Sequence, residues 1–171
     1  MRHRLSGVLV ALTLAGSPAG AALSLVEAGV VCPELRDTVE RRAAPGTELG
    51  FVDIIADPVE FDVLTRDVPL IQRLGFGLRV RSSYADEMPI TIVVEHPPFG
   101  ERAVSTERWE SSVAPGGGAL NLFTFDERYE MVPGRWTFAV EAEGMRQVEV
   151  AFTVGTDPGP VDAACLDMLS V

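Results

Sequence analysis

The chain has 171 residues, and its 14 basic residues are all arginine; against 25 Asp and Glu they leave a formal net charge of -11 at pH 7. That surplus excludes nucleic acid or an anionic membrane surface as a partner held by bulk charge. The lack of lysine excludes a lysine Schiff base or a lysine general base.

The first residues read as a sorting signal. Arg2, His3 and Arg4 precede an apolar run, Leu5 to Ala15, that is too short for a comfortable membrane span. Gly16, Pro18 and Gly20 break the run, and Ala19-Gly20-Ala21 has the small-x-small form of a cleavage site. Residues 1–21 are therefore expected to be a signal peptide, with residues 22–171 a single exported domain without a membrane span in its mature form. Loss of Arg2 and Arg4 takes the charge to about -13. A domain of this size buries about two thirds of its surface and can build a proper core.

Turn residues then separate short alternating stretches, the pattern of strands in an all-β protein. Leu23 to Val31 is a first strand. Cys32 to Arg42 reads as a helical turn or loop, followed by a Pro-Gly turn at Pro45-Gly46. Phe51 to Val68 is irregular, with a short strand at Phe61 to Leu64. In Ile71 to Ser82, Phe76, Leu78 and Val80 point one way and Gly77, Arg79 and Arg81 the other. Ile90, Ile92 and Val94 line the next strand, which ends at His96-Pro97-Pro98. Arg102 to Val113 is a polar strand around Trp109, and Leu120 to Phe125 another. Trp136 to Glu143 and Val148 to Val154 form a final hairpin through Glu143-Gly144-Met145. Seven or eight strands with little helix predict an antiparallel immunoglobulin-like β-sandwich.

Period two puts Trp136, Phe138 and Val140 on one face, matched by Val148, Val150, Phe152 and Val154, so Trp136 belongs to the core. Trp109 has polar neighbours and is expected to be partly exposed. Tyr129, just before a Pro-Gly turn, resembles the corner tyrosine of many sandwiches. Cys32 and Cys165, two cysteines in an exported chain, are expected to pair and tie the ends together.

Much chemistry is missing. Without His3 a single histidine, His96, remains, so a multi-histidine metal site or a Ser-His-Asp triad has no support; His96 reads as a surface or edge residue. Gly75-Phe76-Gly77 lacks the third glycine and helix of a dinucleotide loop and marks a bulge or close strand packing. Asp53, Asp57, Glu60, Asp62 and Asp67 could serve a carboxylate hydrolase or bind calcium, but they fit no EF-hand spacing, and so small a domain offers little cleft. No cofactor or metal is expected. Arg79 and Arg81 are candidate ligand contacts, with pairing to neighbouring acids as the simpler explanation.

The segments "GLRVR", "ITIVVEHPPFG", "LNLFTFDERYEMVPGRWTFAVEAEG" and "VEVAFTV", spanning about positions 71 to 155, together resemble a small family of exported bacterial proteins known only as a domain of unknown function. The resemblance implies a sandwich-like domain behind a signal peptide in Gram-negative bacteria and carries no activity. The sequence thus points to a periplasmic or secreted, non-catalytic module with a protein or glycan partner or a structural place in the envelope. Strand addition is one route to a protein partner. Carbohydrate binding through Trp109 and Tyr84 is the alternative, and a small carboxylate-dependent hydrolase the third.

Overall fold

A computed structural model describes residues 23–33, 38–55, 59–155, 157 and 159–168, with side chains described as far as position 165. The expected signal peptide lies outside these residues. The described residues form ten strands: β1 (Leu23–Val31), β2 (Thr38–Ala43), β3 (Phe51–Ile55), β4 (Asp67–Pro69), β5 (Gly75–Ser82), β6 (Met88–Glu95), β7 (Thr106–Val113), β8 (Gly118–Thr124), β9 (Gly134–Ala142) and β10 (Met145–Gly155). Short 3-10 turns occupy Gly100–Arg102 and Arg128–Glu130, and one helix, α1, spans Gly159–Met168.

Two sheets face each other. One has the order β1-β5-β8, the other β4-β10-β9-β6-β7, and β2 and β3 form a separate two-stranded ribbon. The chain is an all-β, immunoglobulin-like sandwich. All pairings are antiparallel except β4 with β10, which run parallel.

The alternating stretches seal the core as their period requires. Phe76, Leu78 and Val80 from β5 and Ile90, Ile92 and Val94 from β6 face inward and are buried. Trp136 pairs with Phe152, Phe138 with Val150, and Val140 with Val148. Trp136 is fully buried, and its indole N–H donates to the Val132 carbonyl at 3.0 Å. Phe76 sits at the centre, its ring 5.3–5.6 Å from those of Phe125, Trp136, Phe138 and Phe152. The β9–β10 hairpin turns through Glu143 and Gly144, both at positive φ.

Several parts depart from the sequence reading, and the short strand expected at Phe61 to Leu64 is reduced to an isolated bridge at Val63. The region from Cys32 to Arg42, expected to be helical or loop, contains β2, and the irregular stretch after Phe51 begins with β3. Almost every residue of this ribbon is exposed or half-buried, so no one-sided apolar period marks it. The tail carrying Cys165 is helical. His96, expected at the surface, is buried, its ring stacked 3.9 Å from that of Phe99 and 4.6 Å from that of Trp136.

Glycine is needed where strands crowd. Gly29 and Gly77 pair across β1 and β5. A Cβ on Gly77 would lie 2.0 Å from the Asn121 carbonyl oxygen, and one on Gly29 would lie 2.5 Å from the Val63 oxygen. The Gly-Phe-Gly stretch is therefore a site of close backbone approach, not a ligand loop.

Candidate functional site

The two lateral sides of the sandwich are treated differently. On the side of β1 and β4, Val30 bridges Val63, Cys32 is bonded to Cys165 on α1, and the Cys32 N–H donates to Asp62 at 2.7 Å. On the side of β7 and β8, both sheets end in a strand with no strand beyond it among the described residues. A groove of about 900 Å³ lies there, walled by β7, β8 and the β2–β3 ribbon.

Backbone geometry shows which peptide groups the groove offers. In a strand the N–H and C=O of one residue point to the same edge, and successive residues alternate. Phe125 bonds to Arg73 and Leu74, and Gly117 accepts from Ser82, so the odd-numbered residues of β8 face β5. Leu120 and Leu122 therefore turn their peptide groups to the open edge. On β7 the Ser105 carbonyl bonds toward β6 and the Arg108 N–H bonds outward. Glu110 and Ser112 share the outward direction. None of these four has a backbone partner on that edge among the described residues.

Side chains between the sheets follow the same period. Glu107, Trp109 and Ser111 point inward from β7, and Ala119, Asn121 and Phe123 from β8. All of them line the groove. Trp109 is half-buried and packs against the core at the groove wall, in keeping with the partial exposure expected of it. Glu107 is only 3% exposed. Its Oε2 accepts the Glu48 N–H at 2.8 Å, whereas Oε1, like Asn121 Nδ2, is buried without a partner among the described residues.

Burial pushes the Glu107 carboxyl above its ordinary range; the bond from Glu48 opposes this and the Glu48 charge adds to it. Glu130, 2% exposed, is pushed up to about 7 chiefly by burial, with the charges of Asp126 and Glu107 contributing and backbone N–H bonds opposing. It also lines the groove, and its Oε2 accepts the Glu127 N–H at 2.8 Å.

The ribbon's tip anchors to β7. The Gly46 carbonyl accepts the Arg108 N–H at 2.9 Å, and Arg102 pairs with Glu48 at 2.6 Å while its guanidinium lies 4.1 Å from the centre of the Tyr129 ring. That stacking is the role the structure gives Tyr129. Within the ribbon, Arg41 grips Asp53 through two bonds of 2.7 and 2.8 Å.

The residues singled out in the sequence are spread apart. Arg79 reaches the groove wall but is held by Glu27 at 2.7 Å, the Val59 carbonyl at 2.7 Å and Glu60 at 3.2 Å. Arg81 is exposed and does not line the groove. Tyr84 is exposed on the loop after β5 and does not line the groove either. Of the five acids considered for catalysis or calcium, Asp53 and Glu60 are paired with arginine, Asp62 holds the Cys32 N–H, Asp67 lies on β4 at the other side, and Asp57 lies outside the described residues. No group of three or more metal-ligating side chains gathers among the described residues, and no described helix is long and apolar enough to cross a membrane.

Glu107, Asn121 and Glu130 were not singled out from the sequence, and the expectation of little cleft is corrected by the groove. A signal for two of them was present. Glu107 is in phase with Trp109, and Asn121 interrupts the inward row Ala119, Phe123 in an apolar strand; a polar residue at a core phase marks a boundary of the core.

No curated protein matches the chain. Among solved structures, an immunoglobulin-like protein from Pseudomonas aeruginosa is similar over 80% of this chain and 100% of its own, at 17% identity and a TM-score of 0.47. A β-D-glucoside glucohydrolase from Trichoderma reesei is similar over 80% of this chain but 19% of its own, at 10% identity and a TM-score of 0.38. An alkylpurine DNA glycosylase from Pseudomonas fluorescens is similar over 52% of this chain and 27% of its own, at 12% identity and a TM-score of 0.34. A family profile matches residues 21–154, taking in the N-terminal strands and ribbon as well as the segments from position 71 onward, and on that match the chain belongs to the family described as the domain of unknown function DUF3859.

Proposed function

We propose that the chain is an exported, non-catalytic binding module, periplasmic or secreted, whose partner docks in the groove between β7 and β8 as an added strand. The observation that carries this reading is the pair of open edges, with the outward peptide groups of Leu120 and Leu122 on β8 and of Glu110 and Ser112 on β7 lacking backbone partners. An extended polypeptide satisfies such a row of donors and acceptors at the strand repeat of about 3.3 Å per residue. The apolar residues Leu49, Phe51 and Phe123 that also line the groove would receive alternate side chains. Export is supported by the signal-like first 21 residues and by the pairing of both cysteines.

A glycan is the second reading, because Trp109 lies in the same groove as Glu107 and Asn121, a combination of aromatic face and hydrogen-bonding groups. Selection of a phage-displayed library of twelve-residue peptides against the immobilised protein, run beside a glycan array, separates the two. Strand addition predicts enriched peptides that no longer bind Leu122→Pro. That substitution removes an outward N–H and no bond to β5, so the fold is expected to survive. A glycan ligand lost on Trp109→Ala, with no peptide enriched, would sink strand addition and leave the sugar reading standing.

A further inference from the structure

We propose that the groove selects a basic strand: a lysine or arginine side chain of the bound segment enters between the sheets beside Trp109 and pairs with the unpartnered oxygen of Glu107. This inference rests on the strand-addition reading and names the chemistry of its ligand.

Glu107 is a buried carboxyl without a cation among the described residues. The two arginines nearest in sequence are engaged elsewhere, Arg102 with Glu48 and Arg108 with Glu141 at 2.7 Å. Glu130, in the same groove, likewise has no cationic partner among the ion pairs of the described residues. A buried carboxyl with an oxygen left unpartnered and no counter-charge is costly, and a ligand that supplies the counter-charge reduces the cost. Asn121 Nδ2, also buried and unpartnered, leaves a donor on the β8 side for a carbonyl of the same ligand. The indole of Trp109 in the groove wall suits an alkyl-ammonium or guanidinium group, which is attracted to an aromatic face.

The wider field agrees. Among the described residues six carboxyl groups line the groove against three arginines. A second copy of this chain is the other natural occupant of an open edge, but each copy carries a net charge of -11, and like charge opposes that pairing. A basic segment is attracted by the same charge.

Glu107 Oε1 is closed to water in the free protein, so the ligand side chain must displace something to reach it. The ribbon tip covers this side of the groove and is fastened by the Gly46–Arg108, Glu48–Glu107 and Arg102–Glu48 contacts. One of these three engages Glu107 itself, so occupation of the subsite and movement of the tip are linked.

The test uses the full-length exported protein and pooled eight-residue peptides of alternating Val and Thr with one central position varied, read by fluorescence anisotropy. Peptides with central Lys or Arg are expected to bind about ten-fold more tightly than those with Gln, and Glu peptides least. Glu107→Gln keeps an acceptor for the Glu48 N–H and should bring the Lys and Gln peptides within about two-fold of each other, through loss of Lys-peptide affinity. A control on the unaltered protein covers poor folding of that variant. Replacing the central Lys by diaminopropionic acid keeps the charge but shortens the reach, and the preference should vanish. A preference retained by the short side chain, or Gln peptides binding as well as Lys peptides, overturns the basic subsite and leaves strand addition intact. No binding by any peptide overturns both.

Discussion

Replacing Glu130 by Gln should make the protein more stable at neutral pH and change nothing in acid. Glu130 is buried at the end of a 3-10 turn and closes a capping box with Glu127. Its carboxyl holds a proton until about pH 7 in the folded chain, against an ordinary value of 4.5. Between those values the native state binds a proton that the unfolded state has released, so stability falls as pH rises from 4.5 toward 7 and levels off above. At about 1.4 kcal/mol per pH unit, the gap costs the native state about 3 kcal/mol at pH 8. Glutamine resembles the protonated acid in shape and keeps an oxygen for the Glu127 N–H. Urea unfolding followed by tryptophan fluorescence at pH 4, 6 and 8 measures the difference. Glu130→Gln and the parent should match at pH 4, and the variant should gain up to about 3 kcal/mol by pH 8. A difference of the same size at both ends of the range, or a variant less stable at pH 8, would refute the account of a carboxyl strained by burial.

Three further outcomes follow from the core. Trp136→Ala removes a fully buried indole and its bond to Val132 and should cost about 3–5 kcal/mol in urea unfolding. Gly77→Ala sets a methyl 2.0 Å from the Asn121 carbonyl; the strands must part, and thermal melting should show a loss of about 1–3 kcal/mol or outright misfolding. His96 is held below its ordinary 6.5 mainly by burial, opposed by the bond to the Pro97 carbonyl. The unfolded chain therefore takes up a proton below pH 6.5 that the native chain resists, and stability falls on acidification. His96→Phe should flatten that acid limb, and an unchanged acid limb in the variant would count against the buried neutral imidazole.

Period-two alternation and turn residues were enough to determine, from the sequence alone, the sandwich class, the inward faces of β5, β6, β9 and β10, the burial of Trp136 and the β9–β10 turn. These follow from local chemistry, because a half-buried strand must alternate and a tight hairpin turn needs positive φ, which glycine adopts most readily. The pairing of Cys32 with Cys165 was legible too, since two cysteines allow one bridge. What only the tertiary structure decided is where the two sheets stop. Nothing local says that β7 and β8 end their sheets on the same side, that the exposed ribbon stands over the gap between them, or that α1 and the disulfide close the opposite side. Those placements depend on pairings between strands far apart in the chain, such as β4 with β10, and on a disulfide with a sequence separation of 133, and edge and centre strands can share one alternating pattern. Glu107 and Asn121 acquire meaning only there, since the same side chains one strand further in would be errors of packing, whereas at the open margin they line a groove.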